Sequence, residues 1–179
     1  MDFRLAEEAD VLEILTILTQ TKAFFREQKI DQWQGDYPGI PEIRQDIALK
    51  QCYVAVEKEL ILGVIVLSLN PETSYDSLLG GAWNSQEPYT VIHRLAINND
   101  YQGRGTSLKL LAYVEEVTLD LGRQVIRTDT HESNDGMRYM LTKTGYRNTG
   151  RLFLDDGSPR IGYDKLLGEA ELVEGDEIE

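Results

Sequence analysis

The chain has 179 residues, 41% of them hydrophobic, with a mean hydropathy of −0.35 and a formal charge of −13. This is the profile of one soluble globular domain with a real core, and its acidity argues against a nucleic-acid partner, which calls for a basic patch. Two histidines and one cysteine, Cys52, leave too few ligands for a structural zinc site and none for an intrachain disulfide, which fits a reducing cytoplasm.

The opening run Met1-Asp2-Phe3-Arg4-Leu5-Ala6-Glu7-Glu8 has neither a basic segment nor a long apolar one, so no secretory leader is expected. The longest apolar stretch, near Leu60–Leu69, is broken by Gly63 and Ser68 and is too short for a membrane span. Phe3 and Leu5 alternate as a short first strand. Val11, Ile14, Leu15 and Leu18 repeat at helical spacing and predict a helix from about Ala6 to Glu27. A loop with turn residues and two aromatics, Trp33 and Tyr37, follows. Pro41 then suits the first turn of a second helix through Ile43, Ile47 and Leu49.

Residues 52–56 and 60–69 read as an antiparallel hairpin turning near Glu57–Glu59. The pattern breaks from Asn70 to Pro88, a long connection with room for a short helix near Asp76–Leu79. A fourth strand then runs from Tyr89 to Ile97. After the turn Asn98–Tyr101 comes Gln102-Gly103-Arg104-Gly105-Thr106-Ser107, opening a third helix in which Leu110, Val114, Val117 and Leu121 share a face. Glycines at a helix start let backbone N–H groups approach an anion, and the helix dipole favours one there. They are equally ordinary turn punctuation. Neither a P-loop nor a Gly-x-Gly-x-x-Gly dinucleotide fingerprint is present, since Leu108 stands where the latter needs its third glycine.

Gly122 ends that helix, and Gln124–Thr130 forms a fifth strand. Ser133 or Asn134 caps a fourth helix carrying Met137, Met140 and Leu141 inward, stopped by Gly145. Sixth and seventh strands run from Tyr146 to about Leu154 and from Arg160 to Leu166. Residues 1–167 are thus expected to form one domain and 168–179 an acidic tail. The six acidic side chains of 169–179 carry no compensating Lys or Arg, and without them the charge is −7. The remaining acidity keeps the protein soluble and mildly favours a cationic substrate.

The segment Leu95–Ser107 resembles the acetyl-CoA motif of the GNAT family of N-acetyltransferases, in which Arg/Gln-x-x-Gly-x-Gly/Ala opens a helix. Ser107 replaces the usual Gly or Ala. Asn134-Asp135-Gly136-Met137, followed by Leu141, Lys143, Gly145 and Tyr146, is similar to a second family segment. The element order β-α-α-β-β-β-α-β-α-β-β also matches from Phe3 to Leu166. The resemblance implies a mixed α/β fold: a mostly antiparallel seven-stranded sheet flanked by about four helices.

It further implies acetyl transfer from acetyl-CoA, without a metal, to a primary amine of a small molecule or peptide. Main-chain groups of Leu95, Ala96 and Ile97 would hold the thioester arm. Gln102, Gly103, Arg104, Gly105, Thr106 and Ser107 would hold the pyrophosphate, with Asn134 and Lys143 on the arm or its phosphates. Trp33 and Tyr37 are candidates for the acceptor pocket, or, for Trp33, a lid over the core. His93, alternating with Leu95 and Ile97, is the candidate base, against the plainer reading of a histidine bonded within the sheet. A histidine's ordinary pKa near neutrality suits a base. Glu87 is a weaker candidate.

The tyrosine that often serves the family as general acid is replaced by Leu141, and Tyr139 points elsewhere round the helix. That substitution supports a competing reading, a non-catalytic acyl-CoA-binding or sensing domain. A third reading is nucleotide binding at the glycine turn. Asp129-Thr130-His131-Glu132 reads as a strand end and polar turn, with Asp129 or Glu132 an alternative ammonium ligand. Arg94 and Arg127 are expected to pair with carboxylates across neighbouring strands. A monomer or homodimer, with no membrane partner, completes the expectation.

Overall fold

The apolar runs become seven strands of one sheet, and the periodic stretches become helices laid on its two faces. The computed structural model describes residues 1–168, so the acidic tail expected over 168–179 lies, from 169 onward, outside the described residues. The elements are β1 (Asp2–Leu5), α1 (Val11–Glu27), α2 (Ile40–Ala48), β2 (Cys52–Glu57), β3 (Leu60–Ser68), β4 (Tyr89–Ile97), α3 (Thr106–Asp120), β5 (Val125–Thr130), α4 (Asp135–Lys143), β6 (Arg147–Phe153) and β7 (Pro159–Leu166). The strands lie in the order β1-β2-β3-β4-β5-β7-β6, and every pairing is antiparallel except β4 with β5. This is the mixed, mostly antiparallel sheet that the sequence led us to expect.

β3 is buried almost end to end, because helices cover both faces of the sheet. Leu62, Ile65 and Leu67 pack with Leu110, Leu111 and Val114 of α3. Ile61, Val64 and Val66 pack with Ile14, Ile17 and Leu18 of α1 and Ile43 of α2. Among the described residues no helix is long and apolar enough to cross a membrane.

Several boundaries differ from expectation for local reasons. The segment before α1 is a 3-10 turn at Glu8–Asp10, because Asp10 is claimed by Arg4 at 2.7 and 3.0 Å and by the Glu7 N–H at 2.7 Å. α3 begins at Thr106 rather than Gly103, since Gly103 and Gly105 have φ of +76° and +73°, outside the right-handed helix. The β2–β3 turn places Lys58 and Glu59 at φ +50° and +69°, a two-residue turn whose twist suits a hairpin. The helix expected near Asp76–Leu79 is a 3-10 turn at Thr73–Ser77.

Cys52 lies in β2 against α1 and α2, and burial pushes its thiol up to about 12. We expect no modification by iodoacetamide at pH 8 in the native state and one equivalent in guanidinium chloride, read by mass spectrometry. Rapid native labelling would mean that β2 opens readily.

Candidate active site

β4 and β5 run side by side for only three paired positions, Tyr89↔Val125, Thr90↔Ile126 and Val91↔Arg127. Further on, β4 stays paired with β3 and β5 with β7. The two strands therefore part, and the wedge between them belongs to a cleft of about 440 Å³. Ile92–Leu95 form one side of it and Thr128–Thr130 the other. Trp33 and Tyr37, from the loop between α1 and α2, also line it. Trp33 also stands edge-on to Phe25 at 5.5 Å, so it is at once a cleft wall and part of the cover over the α1 cluster.

A β-bulge interrupts β4 where the wedge opens. Arg94 and Leu95 together face Ile65, between the pairs Val66↔His93 and Val64↔Ala96. Arg94 has φ +49°, a costly conformation for a residue with a side chain. It is held there by a fork. Nε and one terminal nitrogen donate to the two oxygens of Asp46 at 2.8 and 2.7 Å, and the other donates to Tyr37 Oη at 2.7 Å. Asp46 is buried and the Arg94 side chain is only 14% exposed, and the carboxylate comes from α2 rather than from a neighbouring strand as expected.

The extra residue also breaks the alternation on which the sequence reading relied. Leu95 and Ile97 pack toward α3, as does Ile92. His93, next after Ile92, turns to the other side, so the three residues His93, Leu95 and Ile97 do not share one face. There His93 Nε2 lies 3.0 Å from Glu72 in the long connection after β3. The bond from His93 holds the Glu72 carboxyl below its ordinary value, so it is ionised at neutral pH. Across the wedge, Asp129 Oδ1 accepts a 2.8 Å bond from Tyr75 Oη, and burial pushes the Asp129 carboxyl up.

The remaining candidates divide by place. Asn134 lines the cleft and caps α4, its Oδ1 accepting from the Met137 N–H at 3.2 Å. Gln102–Ser107 form the turn after β4 that leads into α3, with Gln102 bonded to Asn99 at 2.9 Å and Arg104 lying over Tyr101 at 4.9 Å. Lys143 is exposed on α4, above the Tyr139 ring, and is not a cleft wall. Leu141 is fully buried in the core and Tyr139 is mostly exposed, so neither brings an acid to the cleft.

Other side chains sit away from it. Glu87 is exposed outside the cleft, and Glu132 is paired with Arg151. Among the described residues Arg127 pairs with no carboxylate. It lies between Trp83 and Tyr89, 4.3 and 3.8 Å from their ring centres, and donates to the Ser85 carbonyl at 2.7 Å. Burial lowers its pKa. His131 Nδ1 accepts the Ser133 N–H at 3.1 Å, as a polar turn requires. Among the described residues no three His, Cys, Asp or Glu side chains gather as metal ligands.

Sequence reasoning missed Asp46, Glu72, Tyr75 and Arg160. Asp46 alone left a signal: it falls three residues after Ile43, inside the inward stripe of α2, where a carboxylate needs a buried partner.

The chain matches the family model described as "Acetyltransferase (GNAT) family" over residues 16–146. A search of curated proteins gives no match. Among solved structures, a GNAT-family acetyltransferase from Streptococcus agalactiae 2603 is 30% identical, with a TM-score of 0.83, covering 92% of this chain and 94% of that one. A GNAT-family acetyltransferase from Listeria monocytogenes 4b F2365 is 22% identical (TM-score 0.71, covering 93% and 94%). A ribosomal-protein-alanine N-acetyltransferase from Brucella melitensis is 15% identical (0.67, covering 93% and 100%), and these two likenesses speak for the fold alone. With the parted β4 and β5, the bulge and the glycine turn in one line, and the family model matched over most of its length, the chain belongs to the GNAT family of acetyltransferases and is an acyltransferase.

Proposed function

We propose that this protein transfers an acetyl group from acetyl-CoA to a primary amine in the cytoplasm, with His93 as the base. The observation that carries the reading is the His93–Glu72 pair, placed in the cleft at the point where β4 leaves β5.

The fit of acetyl-CoA is supported by the chain's own groups. Thr106 Oγ1, in the first turn of α3, is buried and has no hydrogen-bond partner among the described residues. The space above Gly103 and Gly105 is open on the side where a Cβ would stand. The N–H groups of the turn and first helical residues lack intrahelical partners, so they would receive the pyrophosphate. Among the described residues, Leu95, Ala96 and Ile97 have a strand neighbour on one side only, and their main chain would hold the arm. Asn134 lines the cleft beside it.

When bound, acetyl-CoA supplies a thioester whose acetyl group is the one transferred. Glu72 accepts the proton on His93 Nε2, which leaves the Nδ1 lone pair to take a proton from the amine. Backbone N–H groups at the bulge are preorganised donors for charge developing on the carbonyl oxygen. With Leu141 where the family often has a tyrosine, no acid from α4 serves the sulfur. A thiol's low pKa makes that tolerable, and solvent provides the proton.

The test is thiol release from acetyl-CoA with polyamines, amino acids, aminoglycosides and peptides as acceptors. We expect release that depends on the amine. Tight acetyl-CoA binding with no release on any acceptor would overturn the proposal, and competition by ATP would return attention to nucleotide binding.

The glycine turn gives a separate expectation. Gly105→Val forces a β-branched residue to φ +73°, at a cost of more than about 1–2 kcal/mol. The turn will reshape, and acetyl-CoA should bind at least about tenfold more weakly by calorimetry, the equivalent of 1.4 kcal/mol. Unchanged affinity would place the pyrophosphate elsewhere.

A further inference from the structure

We propose that Asp129 is the seat of the acceptor's ammonium, a largely buried carboxylate fixed by Tyr75 that selects amines arriving protonated. This rests on the acetyl-transfer reading of the same cleft and adds to it the charge of the substrate.

The geometry is that of a carboxylate short of partners. The Asp129 side chain is 14% exposed and lines the cleft. Oδ1 takes the 2.8 Å bond from Tyr75, while the nearest cation to Oδ2 among the described residues, Arg160 Nε, stands off at 3.7 Å, beyond hydrogen-bonding distance. A carboxylate offers about four acceptor sites, so most of its capacity is unused. Burying a charge on such terms is costly, and the raised pKa of Asp129 reflects it. An alkylammonium brings three N–H donors and the missing charge to this point.

The surroundings favour a cation. The cleft is lined by Asp31, Glu72, Asp129 and Asp156 against Arg94 and Arg160. Arg94 is already spent on Asp46 and Tyr37. Glu132, three residues from Asp129, is occupied by Arg151 and does not line the cleft.

The seat itself is rigid. Tyr75 is fully buried, its ring centre 5.0 Å from that of Trp83, and its carbonyl accepts the Trp83 indole N–H at 2.9 Å.

Position links the seat to the base. Carrying the parallel pairing Val91↔Arg127 two residues onward brings Asp129 to the same level as His93, across the wedge. An ammonium held by Asp129 is then presented to His93. His93 takes one proton, the nitrogen lone pair forms the bond to the carbonyl carbon, and the C–S pair leaves on sulfur; the nitrogen's second proton passes to solvent, which in turn protonates the thiolate.

The experiment compares 1,4-diaminobutane with 1,4-butanediol, followed by the indole N–H resonance of Trp33 on the cleft wall. The wild type should bind the diamine at least tenfold more tightly than the diol. Asp129→Asn should abolish that preference while the acetyl-CoA Kd stays within twofold, and Asp129→Glu should restore part of it. Tyr75→Phe, which keeps the ring and the carboxylate, should weaken diamine binding severalfold and leave diol binding unchanged. Equal binding of the two probes by the wild type, or an intact preference in Asp129→Asn, would overturn the assignment. If Asp129→Asn does not fold, undiminished diamine binding by Tyr75→Phe does so instead. Lack of turnover with every amine would sink the acetyl-transfer reading alone, because these comparisons need no turnover.

Discussion

His93→Ala should lower kcat by about 10²- to 10⁴-fold, the range for loss of a positioned base, while the acetyl-CoA Kd stays unchanged. The reacting amine must lose a proton, and His93 is the one histidine lining the cleft. Its partner fixes the chemistry. A carboxylate on Nε2 holds one tautomer, so the other nitrogen carries the lone pair. Glu72→Gln should therefore cost less than His93→Ala and act on kcat more than on KM, because an amide supports the tautomer less well.

The sign of the acid effect follows from the same bond. The Glu72 carboxyl titrates below its ordinary value in the folded protein, so the pair's stabilisation is present above the unfolded value of about 4.5. It is lost as pH falls through the lower, folded value. Steady-state rates with a fixed amine decide the matter. A rate for His93→Ala within threefold of wild type would move the base elsewhere, with the Asp129 carboxylate the next group to test.

The elements and their order were legible because hydrophobic periodicity and glycine stops are local signals. The four-and-three spacing of Leu110, Val114, Val117 and Leu121 marks α3, and Asn134 marks the start of α4. The glycine turn was legible for the same reason, since positive φ must be met at Gly103 and Gly105 themselves. The side-chain site was not. A bulge is one extra residue in one strand of a pair, and nothing in Val91–Ile97 alone says that Arg94 and Leu95 will share one partner. That single insertion moved His93 off the face of Leu95 and Ile97. Glu72 and Tyr75 come from a connection without periodicity, and tertiary docking alone brings them to β4 and β5. Arg94 and Arg127 show the same limit. Their charge was plain, while the answer, α2 for one and two aromatic rings for the other, depends on what the fold stacks beside them.

Asp46→Ala should destabilise the protein by up to about 3–5 kcal/mol, the usual cost of stripping one partner from a buried ion pair, since Asp46 is buried and Arg94 largely so. For a chain of this length that is roughly 6–20 °C in Tm. Two costs appear together. The Arg94 guanidinium loses its charge partner in a place where water replaces it poorly, and the +49° backbone at Arg94 loses what holds it. Each can be removed by a change at Arg94 itself. Arg94→Gly deletes the charge and makes positive φ permissible. In the Asp46→Ala background, Arg94→Gly should therefore recover part of the lost stability, a non-additivity that a double-mutant cycle by thermal unfolding measures directly. Activity should not recover with it. The bulge points its backbone into the wedge only while something pins it, and glycine leaves it free to slip back into register with β3. A cycle in which the two changes simply add, or an Asp46→Ala protein melting within about 2 °C of wild type, would show that the bulge holds without the fork.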